Sequence, residues 1–292
     1  MLFLLLARCC RNQANHQHQT NESTNFFHHK KFSRVDIDKC PVRPSHSRSR
    51  YDDAVSSAQL SGALPQHLLV DADDTLWENN IYFERAIANF ISFLNHHEYS
   101  PSQIRDVLNE VERECIIQHG YGLHSFAHAL VDTFERLAVE PLSPALHDTI
   151  NSFAHAIAEH PVEVLAGVPE TLDYLAGRHN LILVTKGAIP EQTGKIERSG
   201  LKQFFSSVEI VAEKDVRSYN EIISKYDLPC DTSWMIGNSP KSDINPALKA
   251  VINAVFVPHG NTWILEHEEV ATAVPPCRLL VVDSFARLRV HF

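Results

Sequence analysis

The 292-residue chain is 44% apolar, long enough for one large domain or for a core with an insert. It has nothing near the roughly 20 consecutive apolar residues of a membrane span, so no membrane partner is expected. Its formal charge of −10 is uneven: residues 1–66 hold nine Lys/Arg against five Asp/Glu (net +4), and the rest hold 17 against 31 (net −14). A body that acidic repels nucleic acid and suits a divalent cation with a small substrate.

The six cysteines (Cys9, Cys10, Cys40, Cys115, Cys230, Cys277) form no CxxC pair and no Cys/His zinc spacing, which fits a reducing, cytoplasmic setting. Residues 1–66 are polar, rich in His, Asn and Ser, and without a period of 2 or 3.6. Such a segment buries too little apolar surface to offset its ordering entropy, so a disordered tail is expected. The apolar run in its first residues, about six long, is short of the roughly 7–15 of a secretory leader and is not read as one.

"HLLVD" reads as a short buried strand. Residues 79–160 then carry helical periodicity and no strand signal. "SPSQIRDVLNEVERECI" places Ser100 as N-cap, Pro101 at the first helical position and Gln103 in a capping box. "SPALHDTINSFAHAIAEH" again opens Ser-Pro, and about four helices in a bundle are expected. His119, His124, His128 and His155 fall in these helices and are read as packed or surface histidines. The aromatics Tyr82, Phe83, Phe90 and Phe126 are read mostly as core.

After residue 161 the chain alternates: "LILVTKG" strand, "PEQTGKIERSG" helix, "SVEIVAEK" strand, "VRSYNEIISKY" helix, "SWMIGNS" strand, "INPALKA" helix, then strands "INAVFVPHG" and "RLLVVDS". This predicts an α/β fold, a Rossmann-like parallel sheet over 67–78 and 161–292, with an all-helical cap at 79–160 inserted after the first strand.

Ligands of open α/β sheets bind beyond the carboxyl ends of the strands. Four predicted strand ends carry chemistry: Asp71 and Asp73, with Asp74 and Thr75 behind; Thr185 and Lys186; Lys214; and Asn238, Ser239 and Asp243. They offer carboxylates to a hard cation, and a hydroxyl, amides and a lysine to an anion.

In that order, "DADDT", "LILVTKG", "VAEKDVRSY" and "MIGNSPKSD" resemble the four motifs of the haloacid dehalogenase-like (HAD) hydrolase superfamily. The resemblance spans all but the tail, and the helical insert looks like that family's first type of cap. It implies Asp71 as nucleophile forming an aspartyl-phosphate and Asp73 as general acid and base. It implies Mg²⁺ held by Asp71, the Asp73 carbonyl, Asp243 and the Asn238 position. Thr185, Lys186, Gly187 and the following amides would hold the phosphate, with Lys214 screening charge.

The implied activity is hydrolysis of a small phosphate ester. An amide at 238, where many relatives carry an aspartate, implies weaker Mg²⁺ binding. Asp74 is expected to turn away and cap local backbone. Lys186 is expected either to add potential at the phosphate or to point to solvent. Lys214 has the rival reading of a surface pair with Glu213 or Asp215, and Trp77 reads either as core or as lining the cap–core cleft. The rival functions are a 2-haloacid dehalogenase-type C–halogen hydrolase and a non-catalytic HAD-like binding protein. Asp73 and Asp243 speak against the first, and the intact Asp71 against the second.

Overall fold

The computed structural model describes residues 64–137 and 141–292. The expected disordered tail therefore lies, up to residue 63, outside the described residues. By Gln66 the chain is tied down, its carbonyl accepting from Asn180 N and its Oε1 from Trp234 Nε1.

Six strands, β1 (His67–Val70), β2 (Asn180–Lys186), β3 (Ser207–Val211), β4 (Ser233–Gly237), β5 (Asn253–Phe256) and β6 (Leu279–Val281), form one sheet in the order β3-β2-β1-β4-β5-β6. Every pairing is parallel. Both faces are buried, as the Val/Ile/Leu-rich strands demand. Leu68 and Val70 face one way, joining Leu181, Leu183, Trp234 and Ile236 in a cluster with the helices described next. Leu69 faces the other way, with Ile182, Val184 and Met235. The period of two decides which side each residue serves.

On the first face pack α5 (Val168–Ala176) and α6 (Ile189–Ser199), through Val168, Leu172, Leu175 and Ile196. On the second pack α7 (Val216–Tyr226) and α8 (Asn245–Lys249), through Tyr219, Ile222 and Ala247. The α7 bounds coincide with the segment expected from sequence. Helix α5 is an addition to the predicted elements. Gly167, in the left-handed region (φ 77°), turns the chain into it, with Pro169 in its first turn.

Between β1 and α5 run four helices: α1 (Asn80–Leu94), α2 (Pro101–His119), α3 (Leu123–Leu137) and α4 (Pro144–Ala158). The capping box at α2 is present: the Ser100 side chain accepts from Gln103 N, and Gln103 Oε1 accepts from Ser100 N at 2.9 Å. Ser143 caps α4 by accepting from Leu146 N. The four helices enclose a core of their own, including Ile87, Phe90, Leu108, Leu130, Phe134 and Ile150. Their entry and exit chains run side by side, Glu78 N donating to Glu163 O and Leu165 N to Leu76 O, both at 2.9 Å. No helix among the described residues is long and apolar enough to cross a membrane.

The strand order reverses at β1/β4, where a crevice opens at the carboxyl ends. Val70 is level with Leu183 and Ile236, so the residues that follow each of these emerge together.

Candidate active site

The turn after β1 is shaped by its own hydrogen bonds. Thr75 N and Leu76 N both donate to Ala72 O, and Asp74 N donates to Trp77 O. Asp74 takes a left-handed conformation (φ 60°), which a short polar side chain tolerates. Its Oδ1 accepts from Asn79 N and Asn80 N at 2.9 and 3.0 Å. Asp74 thus caps the start of α1, as expected from sequence, and burial pushes its carboxyl up to about 7 against those two amides.

Asp71 is buried. Lys214 Nζ donates to its Oδ1, and Thr75 Oγ1 donates to its Oδ2 at 2.8 Å. Lys214 Nζ also donates to Asp243 Oδ1 at 2.8 Å, so one buried ammonium lies between two buried carboxylates. The lysine is 4% exposed, which rules out the surface pair with Glu213 or Asp215. Burial, then the Asp243 charge, push Asp71 up from its ordinary value, with Lys214 pulling the other way. For Lys214, burial favours the neutral form, but Asp243 and Asp71 outweigh it and raise its pKa.

Asp243 sits on a single π turn, Pro240–Ile244, and its Oδ2 accepts from Ser239 N at 2.9 Å. Such turns recur at functional sites. A β-carbon at Gly237 would collide with the Asp243 carboxylate, so glycine ends β4 by close approach. Asn238 Nδ2 donates to Thr262 Oγ1 at 2.9 Å, which turns its Oδ1 toward Thr75 Oγ1, 3.3 Å away. Two repelling carboxylates and an inward amide oxygen, all hard oxygen donors, fit a cation such as Mg²⁺. The Asp74, Glu78 and His259 side chains form a separate three-residue group.

Asp73 is held by Trp77 and by two residues that sequence reading missed, Lys195 and Gln192. Lys195 Nζ contacts both its oxygens at 2.8 and 2.7 Å, Gln192 Nε2 donates to Oδ2 at 3.0 Å, and Trp77 Nε1 donates to Oδ1 at 2.7 Å. Burial favours the protonated acid, but the Lys195 ammonium and these hydrogen bonds win and hold Asp73 below its ordinary range. Trp77 is a buried core residue positioning Asp73. Lys195 and Gln192 lie on α6, one turn apart; only their i, i+3 spacing on a helix after β2 hinted at it.

The β2 end behaves partly as expected. Thr185 Oγ1 lies at the crevice, 3.2 Å from Gln192 Oε1. The Gly187 amide, expected at the phosphate, instead donates to Val211 O at 3.1 Å: the β2–β3 ladder runs one residue further than the strand and consumes that donor. Lys186 does not point to solvent. Its Nζ contacts Glu266 Oε1 at 2.6 Å and Ser242 Oγ at 2.8 Å, and lies 4.1 Å from the Tyr121 ring centroid. Burial pushes Glu266 up, but Lys186, Ser239 and Ser242 outweigh it and lower its pKa.

These groups line one cavity of about 140 Å³ between the strand ends and the helices, and Asp71, Asp73, Thr185, Lys186, Gly187, Lys214, Asn238 and Asp243 all border it. The α2–α3 turn closes over the core: Tyr121 Oη donates to Glu213 Oε2 at 2.7 Å, and Leu123 N to Glu191 Oε2 at 2.9 Å. Of the four noted histidines, His119, His124 and His128 cluster outside this cavity, Nε2 of His124 and His128 being 3.2 Å apart.

The family model described as haloacid dehalogenase-like hydrolase matches residues 68–257. A haloacid dehalogenase-like family hydrolase from Xanthomonas campestris is 30% identical, with 79% of this chain and 95% of that one covered at a TM-score of 0.66. A magnesium-bound HAD-hydrolase from Bacillus subtilis is 14% identical (78% and 99% covered, TM-score 0.56). The L-2-haloacid dehalogenase of Xanthobacter autotrophicus is also 14% identical (78% and 98% covered, TM-score 0.54). Among curated proteins, none is detectably similar in sequence.

Proposed function

The chain belongs to the haloacid dehalogenase-like hydrolase family, and from that premise we propose that it is a Mg²⁺-dependent phosphatase of small phosphate monoesters. Asp73 carries the reading. A second carboxylate borders the same cavity as Asp71 and is fixed there by three donors. A departing alkoxide needs a proton, whereas a departing halide needs none.

In this account Asp71 attacks phosphorus and the ester oxygen leaves, giving an aspartyl-phosphate and an alcohol. Asp73 begins ionised, so it first accepts the proton of a substrate monoanion, whose second pKa is about 6. It passes that proton to the leaving oxygen. Ionised again, it takes a proton from the water that attacks phosphorus and gives it up to the departing phosphate or to solvent, which restores both Asp71 and Asp73. Lys214 and Thr75 orient the nucleophile, and Thr185 offers its hydroxyl to a phosphoryl oxygen.

Seven carboxylates and three lysines line the cavity, so a phosphate dianion meets net repulsion. Mg²⁺ held by Asp71, the Asp73 carbonyl, Asp243 and Asn238 supplies the missing positive charge when bound. The same balance disfavours a haloacid, since no arginine borders the cavity among the described residues and all three lysines contact carboxylates. The magnesium bound to the Bacillus subtilis hydrolase is in keeping with this reading. The cytoplasm is its expected setting.

The test is the leaving group. Asp73→Asn should slow alkyl phosphate hydrolysis by roughly 10²–10⁴-fold and aryl phosphate hydrolysis far less, with Mg²⁺ required in both cases. Equal losses, or activity indifferent to chelation, would contradict the proposal.

A further inference from the structure

The helical end of the cavity is built from different material. Phe83 on α1, Glu112 and Ile116 on α2, and Ser125 and Phe126 on α3 border it there. Glu112 is only 5% exposed, and its Oε2 has no hydrogen-bond partner among the described residues. Ser125, 3% exposed, likewise leaves its Oγ without one. Buried polar atoms in native proteins are nearly always satisfied, and two exceptions on one cavity wall ask for a ligand. The Arg105 guanidinium is committed elsewhere, gripping Glu84 through both terminal nitrogens at 3.0 and 2.8 Å. Burial pushes Glu112 up to about 7, against the opposing pull of the Arg105 and Arg113 charges.

We infer that this end is an ammonium subsite, and that the substrates are phosphate monoesters carrying a primary amine at their far end. A carboxylate and a hydroxyl accept two of the three ammonium hydrogens. The Phe83 and Phe126 rings, 5.0 Å apart edge to face, offer the apolar and cation–π wall such a group prefers. The excess of carboxylates lining the cavity opposes any second anionic group and favours a cationic one. The inference rests on the proposed phosphatase reading, and it assigns the cavity's two ends to opposite charges.

The experiment is steady-state kinetics of the full chain with Mg²⁺ on two series. One is ω-aminoalkyl phosphates of increasing length; the other is the n-alkyl phosphates in which methyl replaces ammonium. At the best-fitting length the amine should be favoured in kcat/KM by about 10- to 100-fold, the worth of a hydrogen-bonded charge. In Glu112→Gln that ratio should collapse toward one, and Ser125→Ala should lower it several-fold. Hydrolysis of both series at equal kcat/KM by the wild-type chain overturns the subsite and leaves the phosphatase standing. This ratio needs no variant, so it decides even if Glu112→Gln does not fold. If no ester is turned over, p-nitrophenyl phosphate included, the phosphatase reading falls. Thermal melting with aminoalkyl and alkyl phosphonates then judges the subsite alone: selective stabilisation by the amine supports it, and equal stabilisation overturns it.

Discussion

The two ends of the cavity obey different rules. At the strand ends every charged group has a partner: Lys214 with Asp71 and Asp243, Lys195 with Asp73, Lys186 with Glu266. At the helical end aromatic and aliphatic walls surround a carboxylate oxygen and a hydroxyl that have none among the described residues. A pre-paired constellation is rigid before substrate arrives, which suits chemistry that repeats on every turnover. An unpaired one gains its partner from the ligand, which suits choice of substrate. The contrast predicts that changes at the first end cost rate on all esters, and changes at the second cost discrimination between them.

The largest effect should come from the nucleophile. Asp71→Asn, an amide in place of the attacking carboxylate, should lower kcat on the order of 10⁴-fold or more on every ester. Residual rates near wild type would break the comparison outright. Lys214→Ala should cost roughly 10²–10³-fold and leave two buried carboxylates facing each other. Its melting temperature should therefore fall and recover partly with added Mg²⁺. A loss below tenfold with unchanged melting would mean that the ammonium contributes little.

Lys195→Met separates the pair's stability from its chemistry. Asp73 titrates below its ordinary 3.8 in the folded state, so the pair's contribution is complete above about pH 4. It is lost only as pH falls through the depressed value. Without Lys195 burial is no longer outweighed, the folded pKa rises, and acid unfolding should begin at higher pH. At neutral pH the variant should be less stable by about 1–3 kcal/mol, read by urea melts across pH. Superimposable acid transitions would contradict this. Smallest is Trp77→Phe, which keeps the packing and removes one donor from Asp73. It should lower kcat by about tenfold or less while leaving the amine-to-alkyl ratio untouched.

What could be read in the sequence follows the same division. The β1 and β4 strands, the α7 bounds, the Ser100 cap and the convergence of Asp71, Lys214 and Asp243 were legible, because local periodicity and motif order encode them. Helix α5 was passed over: only nine residues long, it follows directly on a loop. The distant partners of Asp73 and Lys186 were invisible for another reason. Lys195 reaches Asp73 across 122 positions, and Glu266 reaches Lys186 across 80. Neither separation has a period to betray it. The Gly187 amide was misjudged because only the sheet register shows where its hydrogen bond goes. Glu112 looks in sequence like any charge on an amphipathic helix, and only its burial in the folded bundle sets it apart.

The central claim, phosphoryl transfer through Asp71, is tested most directly by acid-quenching the full chain within a single turnover of p-nitrophenyl phosphate with Mg²⁺, reducing it with borohydride and reading the Asp71 peptide by mass spectrometry. Borohydride reduces an acyl phosphate to the alcohol and leaves a free carboxylate intact. An aspartyl-phosphate intermediate predicts homoserine at position 71 in the quenched enzyme and intact Asp71 in enzyme kept without substrate. Turnover that leaves Asp71 intact throughout, as direct attack of water on phosphorus would, contradicts it.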